Sequence, residues 1–405
     1  MKIYGKSLTE IFNSLPWPYK IVVAAGSLFI VFIMLYLPTL LLKAGLKAPA
    51  AEPLQISSSR QTVLGVFDPS VAYDPKTKTA WMAYAAEEKS QNDPNGKLVH
   101  VRIASADADT RECKNWSQAA GGFEGKPDDI LAPDGQTVFR SGEWRVETPA
   151  IVYDPDDRGR EWKLYAYKYF WAKDPVQTLK VAQHYGAIVY KYAADPAGNW
   201  SPEQWLFSPA PDYPPAPYEQ MILLHLNRLN PGLQDVVTYS RPSVVYKGGA
   251  LVMTLSAFTG GNAPDRVIMV VSRDHGNSWL YLGAPLQQSD LAAIGPYTRL
   301  AGATLIEQGG EVYLAAVLGD DLHTGQGTFI FGFDDFSRGL LRRDPKTGAP
   351  VLLRRVPLNS KAPGPMGGGF AAYNDACPFG LLTGEQTLGA SSFQIFKTYK
   401  TPVKK

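Results

Sequence analysis

Apolar residues fall in short runs along most of this chain, separated by clusters of Gly, Pro, Asn and Asp, a pattern that predicts strands and turns. One phrase recurs within it. Asp68-Pro69-Ser70-Val71-Ala72-Tyr73 returns as Thr148-Pro149-Ala150-Ile151-Val152-Tyr153 and as Arg241-Pro242-Ser243-Val244-Val245-Tyr246. Each copy leads through a turn to a second apolar run: Trp81–Tyr84, Trp162–Tyr165 and Leu251–Thr254. A looser copy without proline is Gly302–Ile306, followed by Val312–Ala315. A strand pair that recurs at intervals of several tens of residues marks an all-β repeat architecture. The prolines suit strand starts, where a missing N–H does least harm.

Further runs extend each copy into a unit of four strands. The third unit is clearest, with Pro242–Tyr246, Ala250–Ala257, Arg266–Ser272 and Ser278–Leu282. The fourth ends in a basic stretch around Arg354, and the fifth offers only three runs, Phe370–Asn374, Gly380–Glu385 and Ser392–Thr398. Five units of antiparallel strands predict a five-bladed β-propeller over 54–400. The alternating run Leu54-Gln55-Ile56-Ser57 is the expected fourth strand of the last blade, so that the two chain ends close the ring and hide its edges.

The pattern changes at the amino terminus. Residues 21–43 contain an uncharged apolar run of the roughly 20 residues that a bilayer core requires, flanked by Trp17 and Tyr19. A signal peptide is the alternative, since Ala48-Pro49-Ala50 resembles a cleavage site; the run exceeds the usual 7–15 residues of such segments, which favours an uncleaved anchor. Lysines flank both ends and lean only slightly toward a cytoplasmic segment 1–20. The reading is a membrane anchor, a tether over 44–53, and a β domain outside the cytoplasm.

Composition narrows the classes. Lys+Arg 40 against Asp+Glu 38 leaves a net charge of +2 and no basic stripe, so nucleic acid is not an expected partner. Two cysteines, Cys113 and Cys377, either form one disulfide or stay as free thiols. No His, Cys or carboxylate spacing argues for a metal, and no motif calls for a cofactor. His184, His225 and His323 are scattered singly.

Residues just ahead of each repeated phrase are expected to ring one mouth of the central channel. These are Phe67-Asp68, Glu147-Thr148, Ser240-Arg241 and, more loosely, Thr298-Arg299. Two carboxylates and two arginines then converge. They either cap strand starts and pair with one another, or they form a site. As a site, Asp68 and Glu147 suit acid–base chemistry, while Arg145, Arg241 and Arg299 suit an anionic group through their guanidinium forks. Trp144 and Tyr239 are candidate stacking surfaces for sugar rings, and Pro209–Pro217 is a candidate overhanging loop.

Asp68-Pro69-Ser70-Val71 resembles the opening of the first blade in five-bladed glycoside hydrolases of family 43 and its relatives, which include family 32. In those enzymes an aspartate at this place acts as base, so the resemblance implies that role for Asp68, with Glu147 as acid or pKa modulator. Their general-acid glutamate stands in a Ser-Glu-Gly-Pro-like phrase, where this chain has Ser240-Arg241-Pro242. Ser272-Arg273-Asp274-His275-Gly276-Asn277-Ser278-Trp279 resembles the Asp-box turn of sialidases, which speaks to fold. Asn92-Asp93-Pro94-Asn95-Gly96 matches the family 32 nucleophile phrase but lies between strands two and three, where those residues make an ordinary turn. The implied ligand is a polysaccharide or oligosaccharide, and the arginines suit an anionic one. The other reading is an inert propeller that binds carbohydrate or protein in a cell-envelope assembly.

Overall fold

A computed structural model describes residues 2–3, 6–7, 13, 16, 51–57, 63–89, 97–106, 113, 115–131, 136–172, 185–208, 222–261, 263–359, 363–387 and 393–403. The expected anchor over 21–43, the Asn92–Gly96 turn, His184 and the Pro209–Pro217 loop lie outside them. No helix among the described residues is long and apolar enough to cross a membrane. The chain divides into two units, Met1–Ala50 and Ala51–Lys405. In the first, Lys2–Ile3 pairs with Lys6–Ser7.

The second unit is a five-bladed β-propeller, each blade an antiparallel sheet built outward from its first strand. Blade one runs Val63–Asp74, Thr79–Lys89, Lys97–Ala106 and Trp116–Phe123. Blade two has Val138–Tyr153, Trp162–Ala172, Gly186–Ala193 and Gln204–Phe207, with Lys126–Leu131 added beside the long first strand. Blade three has Thr238–Lys247, Ala250–Phe258, Arg266–Ser272 and Leu280–Gln287. Blade four has Arg299–Gln308, Glu311–Gly319 and Thr328–Asp335, with Leu352–Val356 carrying the basic stretch at Arg354.

Blade five has Pro363–Ala372, Leu382–Thr387 and Phe393–Lys397, completed by Glu52–Pro53 from the start of the domain. The neighbouring Leu54 N–H donates to the Ile395 carbonyl at 2.7 Å. Two residues on, Ile56–Ser57 pairs instead with Trp116–Ser117 of blade one. The run around Leu54 therefore knits both sides of the closing seam. A Cys113–Cys377 disulfide clamps the same seam, joining blade one to blade five across 264 residues.

Strand residues alternate in facing, so each blade offers an apolar layer to both neighbours. The core is accordingly five inter-blade layers. Trp81, Trp162 and Phe170 fill one, Tyr165, Phe207 and Trp279 the next, and Met269, Leu314 and Phe329 a third. Trp116, Phe379 and Ile395 seal the seam, while Ile330 and Leu381 pack between blades four and five. Trp279 is held by a turn in which Asp274 Oδ1 accepts from Ser278 N–H at 2.8 Å, and Gly276 takes a φ of 94°.

The repeated phrase also ties blades at the axis. Ser70 Oγ accepts from Ile151 N–H at 3.0 Å, and Ser243 Oγ accepts from Leu305 N–H at 2.8 Å. Thr304 Oγ1 donates to the Ala371 carbonyl at 2.8 Å.

Because the disulfide closes the ring, reduction or Cys113→Ala should lower unfolding stability by about 2–5 kcal/mol. Thermal unfolding with and without reductant reads this. Two titratable thiols in the native protein would contradict it.

Candidate functional site

Each inner strand is broken by a register shift at the same point. It falls between Phe67 and Ser70, Glu147 and Ala150, Ser240 and Ser243, and Leu300 and Gly302. These β-bulges re-aim side chains at the channel mouth. At three of them a residue with a side chain takes positive φ: Asp68 at 49°, Thr148 at 50° and Arg241 at 56°. Each precedes a proline, a setting that pushes the backbone toward extended conformations. Blades four and five use glycines there, Gly302 and Gly367–Gly369.

The bulges bring Asp68, Glu147, Arg145 and Arg241 to one cavity of about 180 Å³, with Phe67, Glu87, Tyr169, Phe370 and Phe393 also in its wall. Arg241 lies over the Phe370 ring at 4.4 Å. Gly302 makes room for it, since a Cβ there would stand 2.8 Å from Arg241 Cδ. Tyr169 donates its hydroxyl to Glu147 Oε2 at 3.1 Å. Arg145 bonds Glu143 Oε1 through Nε at 2.6 Å and the Lys97 carbonyl through Nη2 at 3.3 Å.

Three expected residues do not line this cavity. Trp144 is 2% exposed and packs edge-on against Phe170 and Trp205, on the opposite strand face from Arg145 and Glu147. Tyr239 is 1% exposed and donates to Asn227 Oδ1 at 2.7 Å. Arg299 pairs with Gly319 ahead of the blade-four bulge, whose pocket position belongs to Ala301. Sequence reading missed Glu87. It sits on the second strand of blade one, Oε1 bound to Lys97 Nζ at 3.0 Å and Oε2 buried with no hydrogen bond from a described residue. A carboxylate directly after the apolar run Trp81–Ala86 was its only signal.

Desolvation raises the Asp68 carboxyl to about 7, against the opposing pull of Arg241 and with help from the Glu147 charge. Desolvation likewise raises Glu147, offset by Arg241, by the Tyr169 hydrogen bond and by Arg145. Asp68 is held in its acid form near neutrality, while the Glu147 anion has a hydrogen-bond donor and two arginines to favour it.

A larger cavity of about 540 Å³ lies further along the inner strands, lined by Ser70–Tyr73 and its counterparts in the other blades. Its polar rim is internally satisfied: Tyr373 donates to Asp375 at 3.0 Å, Tyr246 to Asp156, and Lys247 pairs with Glu307 at 2.8 Å. Asp154, Asp157 and His275 cluster closely enough to hold a cation. The buried Lys163 ammonium already sits there, bonded to Asp157 and 3.6 Å from Asp154. The reactive groups converge in the smaller cavity.

No protein-family model matches this chain, and no curated protein matches it. Solved structures with a similar fold include a GH32 beta-fructofuranosidase of Bombyx mori, with 12% identity, a TM-score of 0.46 and coverage of 82% of this chain and 59% of that one. A family 117 glycoside hydrolase of Zobellia galactanivorans shows 12% identity over 88% of this chain and 91% of that one, with a TM-score of 0.43. The NanB sialidase of Streptococcus pneumoniae shows 10% identity over 86% and 70%, with a TM-score of 0.40. These are likenesses of fold and carry no argument about activity.

The Asp68 shift has a signed consequence. A carboxyl whose folded pKa lies above its unfolded value penalises the folded state once ionised, so its effect is absent below about pH 4 and fully present above about 7. Asp68→Asn should therefore stabilise the protein by about 3–4 kcal/mol at pH 8 and leave it nearly unchanged at pH 4. Equal effects at both values, read by denaturant unfolding, would refute the shift.

Proposed function

We propose that the pocket is a glycan site in which Asp68 and Glu147 work as an acid–base pair and Arg241 receives an anionic group on the sugar. The observation that carries this is the convergence of two desolvated carboxyls and two guanidinium groups in one opening. Glycoside hydrolysis needs one carboxyl to protonate the leaving oxygen and another to act on the opposite face of the sugar. The two environments support different roles for the two groups. Asp68 holds its proton to about pH 7 and serves as donor, while the Tyr169-bonded Glu147 serves as base or nucleophile. This reverses the roles that the family 43 resemblance implies. Arg241 cannot itself donate a proton, since its pKa stays above ~12.

That arginine favours a second reading, a pocket that binds an acidic sugar without cleaving it. The two readings share a ligand and differ in turnover. We also propose that the domain lies outside the cytoplasm, anchored through 21–43, because its ring is closed by a disulfide, a bond characteristic of oxidising compartments.

Glycan-hydrolysis profiling of the full-length protein tests the enzyme reading. Asp68→Asn and Glu147→Gln should each lower turnover by about 10²–10⁴-fold. Asp68→Asn should recover on substrates with an activated leaving group, which need no protonation. Wild-type activity should fall as pH rises through about 7, as Asp68 loses its proton. Turnover that survives both substitutions rules out the assignment; glycan binding without turnover selects the second reading.

A further inference from the structure

A cavity of about 180 Å³ is smaller than the ~300–1,000 Å³ of typical drug-sized ligand sites. It takes one small ring. Blade two, however, carries two rows of side chains that lead out of it. Alternation places Glu147, Arg145 and Glu143 on one face of the first strand. Opposite them on the second strand stand Tyr167, Tyr169 and Trp171 in the same order. At ~3.3 Å of rise per residue, the row from Glu147 to Glu143 spans about 13 Å.

The rings form a continuous track. Tyr167 and Tyr169 stack at 5.0 Å, and Trp171 meets Tyr169 edge-on at 6.4 Å. The Arg145 guanidinium lies over the Trp171 ring at 4.4 Å. Exposure rises outward: each tyrosine is 8% exposed and Trp171 is 39% exposed. Trp81, Trp116, Trp144, Trp162, Trp205 and Trp279 are all buried between blades. Trp200 is only partly buried but still packs on the first of those layers, whereas Trp171 joins none of the five. Arg145 uses Nε and Nη2 on Glu143 and Lys97, and Nη1 bonds no described residue.

We propose that Trp171 and Arg145 form a second sugar subsite, so that the ligand is a glycan chain of two or more units. One ring enters the pocket at Asp68. A following ring lies against the exposed indole and accepts a hydrogen bond from Arg145 Nη1 through a hydroxyl or carboxylate oxygen. This rests on the reading of the pocket as a glycan site.

Calorimetric titration of the full-length protein with paired mono- and trisaccharides tests it: galacturonate and trigalacturonate, xylose and xylotriose, N-acetylneuraminate and its trimer. For the sugar that binds, the trisaccharide should bind wild type about tenfold more tightly than its monosaccharide, the size of one aromatic contact. Trp171→Ala should abolish that preference without changing monosaccharide affinity or Tm, and Trp171→Phe should keep most of it. A length preference that survives Trp171→Ala overturns the subsite, as does equal weakening of both sugars. If wild type binds none of these sugars, the pocket reading fails and the subsite fails with it.

Discussion

A residue with a side chain at positive φ costs the fold about 1–3 kcal/mol, and this chain places one at the same bulge of three successive inner strands. The proline after each makes the conformation harder still to reach. Blades four and five make the corresponding turn with glycine, so the ring itself does not need the strain. It persists where a bulky polar group results. Asp68 and Arg241 stand at such bulges and line the cavity, and in blade two the residue just before Thr148, Glu147, lines it as well. Backbone strain held by well-packed surroundings is a feature of functional sites. Here the surroundings are the inter-blade layers and the axial bonds of Ser70, Ser243 and Thr304.

Rigidity at the axis depends in turn on closure of the ring. A propeller opened between its first and last blades exposes two sheet edges and one apolar layer. The chain secures that seam with Glu52–Leu54 on blade five, with Ile56–Ser57 on blade one, and with the Cys113–Cys377 bond. The pocket draws walls from all five blades, so the clamp that stabilises the fold also fixes the relative positions of Asp68, Glu147 and Arg241.

The fold was legible because its signal is periodic. The Pro-Ser/Ala-Val/Ile-x-Tyr phrase fixes the inner strands, and the missing strand of blade five pointed to the run at Leu54; the strand that pairs there is Glu52–Pro53, just ahead of it, while Ile56–Ser57 joins blade one. The site was legible only in part, and facing explains the division. Asp68, Glu147, Arg145 and Arg241 share the pocket face after the bulge is counted. Trp144 and Tyr239 are each one residue out of step and turn into inter-blade layers. Arg299 precedes a bulge built on Gly302, a shift that apolar patterning does not encode. Glu87 reaches the pocket from a second strand, and only strand pairing brings it there.

Low local dielectric sets the ionisation of the two carboxyls. Two carboxyls in water would ionise below pH 5, whereas in this pocket burial lifts both while Arg241 opposes the rise. The direct measurement is a ¹³C NMR titration of the aspartate side-chain carboxyls, with the Asp68 signal assigned by its loss in Asp68→Asn. The account predicts a midpoint near 7, moving upward in Arg241→Ala and downward in Glu147→Gln. A midpoint near the ordinary aspartate value of about 4, unmoved by either substitution, would contradict a shared, desolvated acid–base pocket.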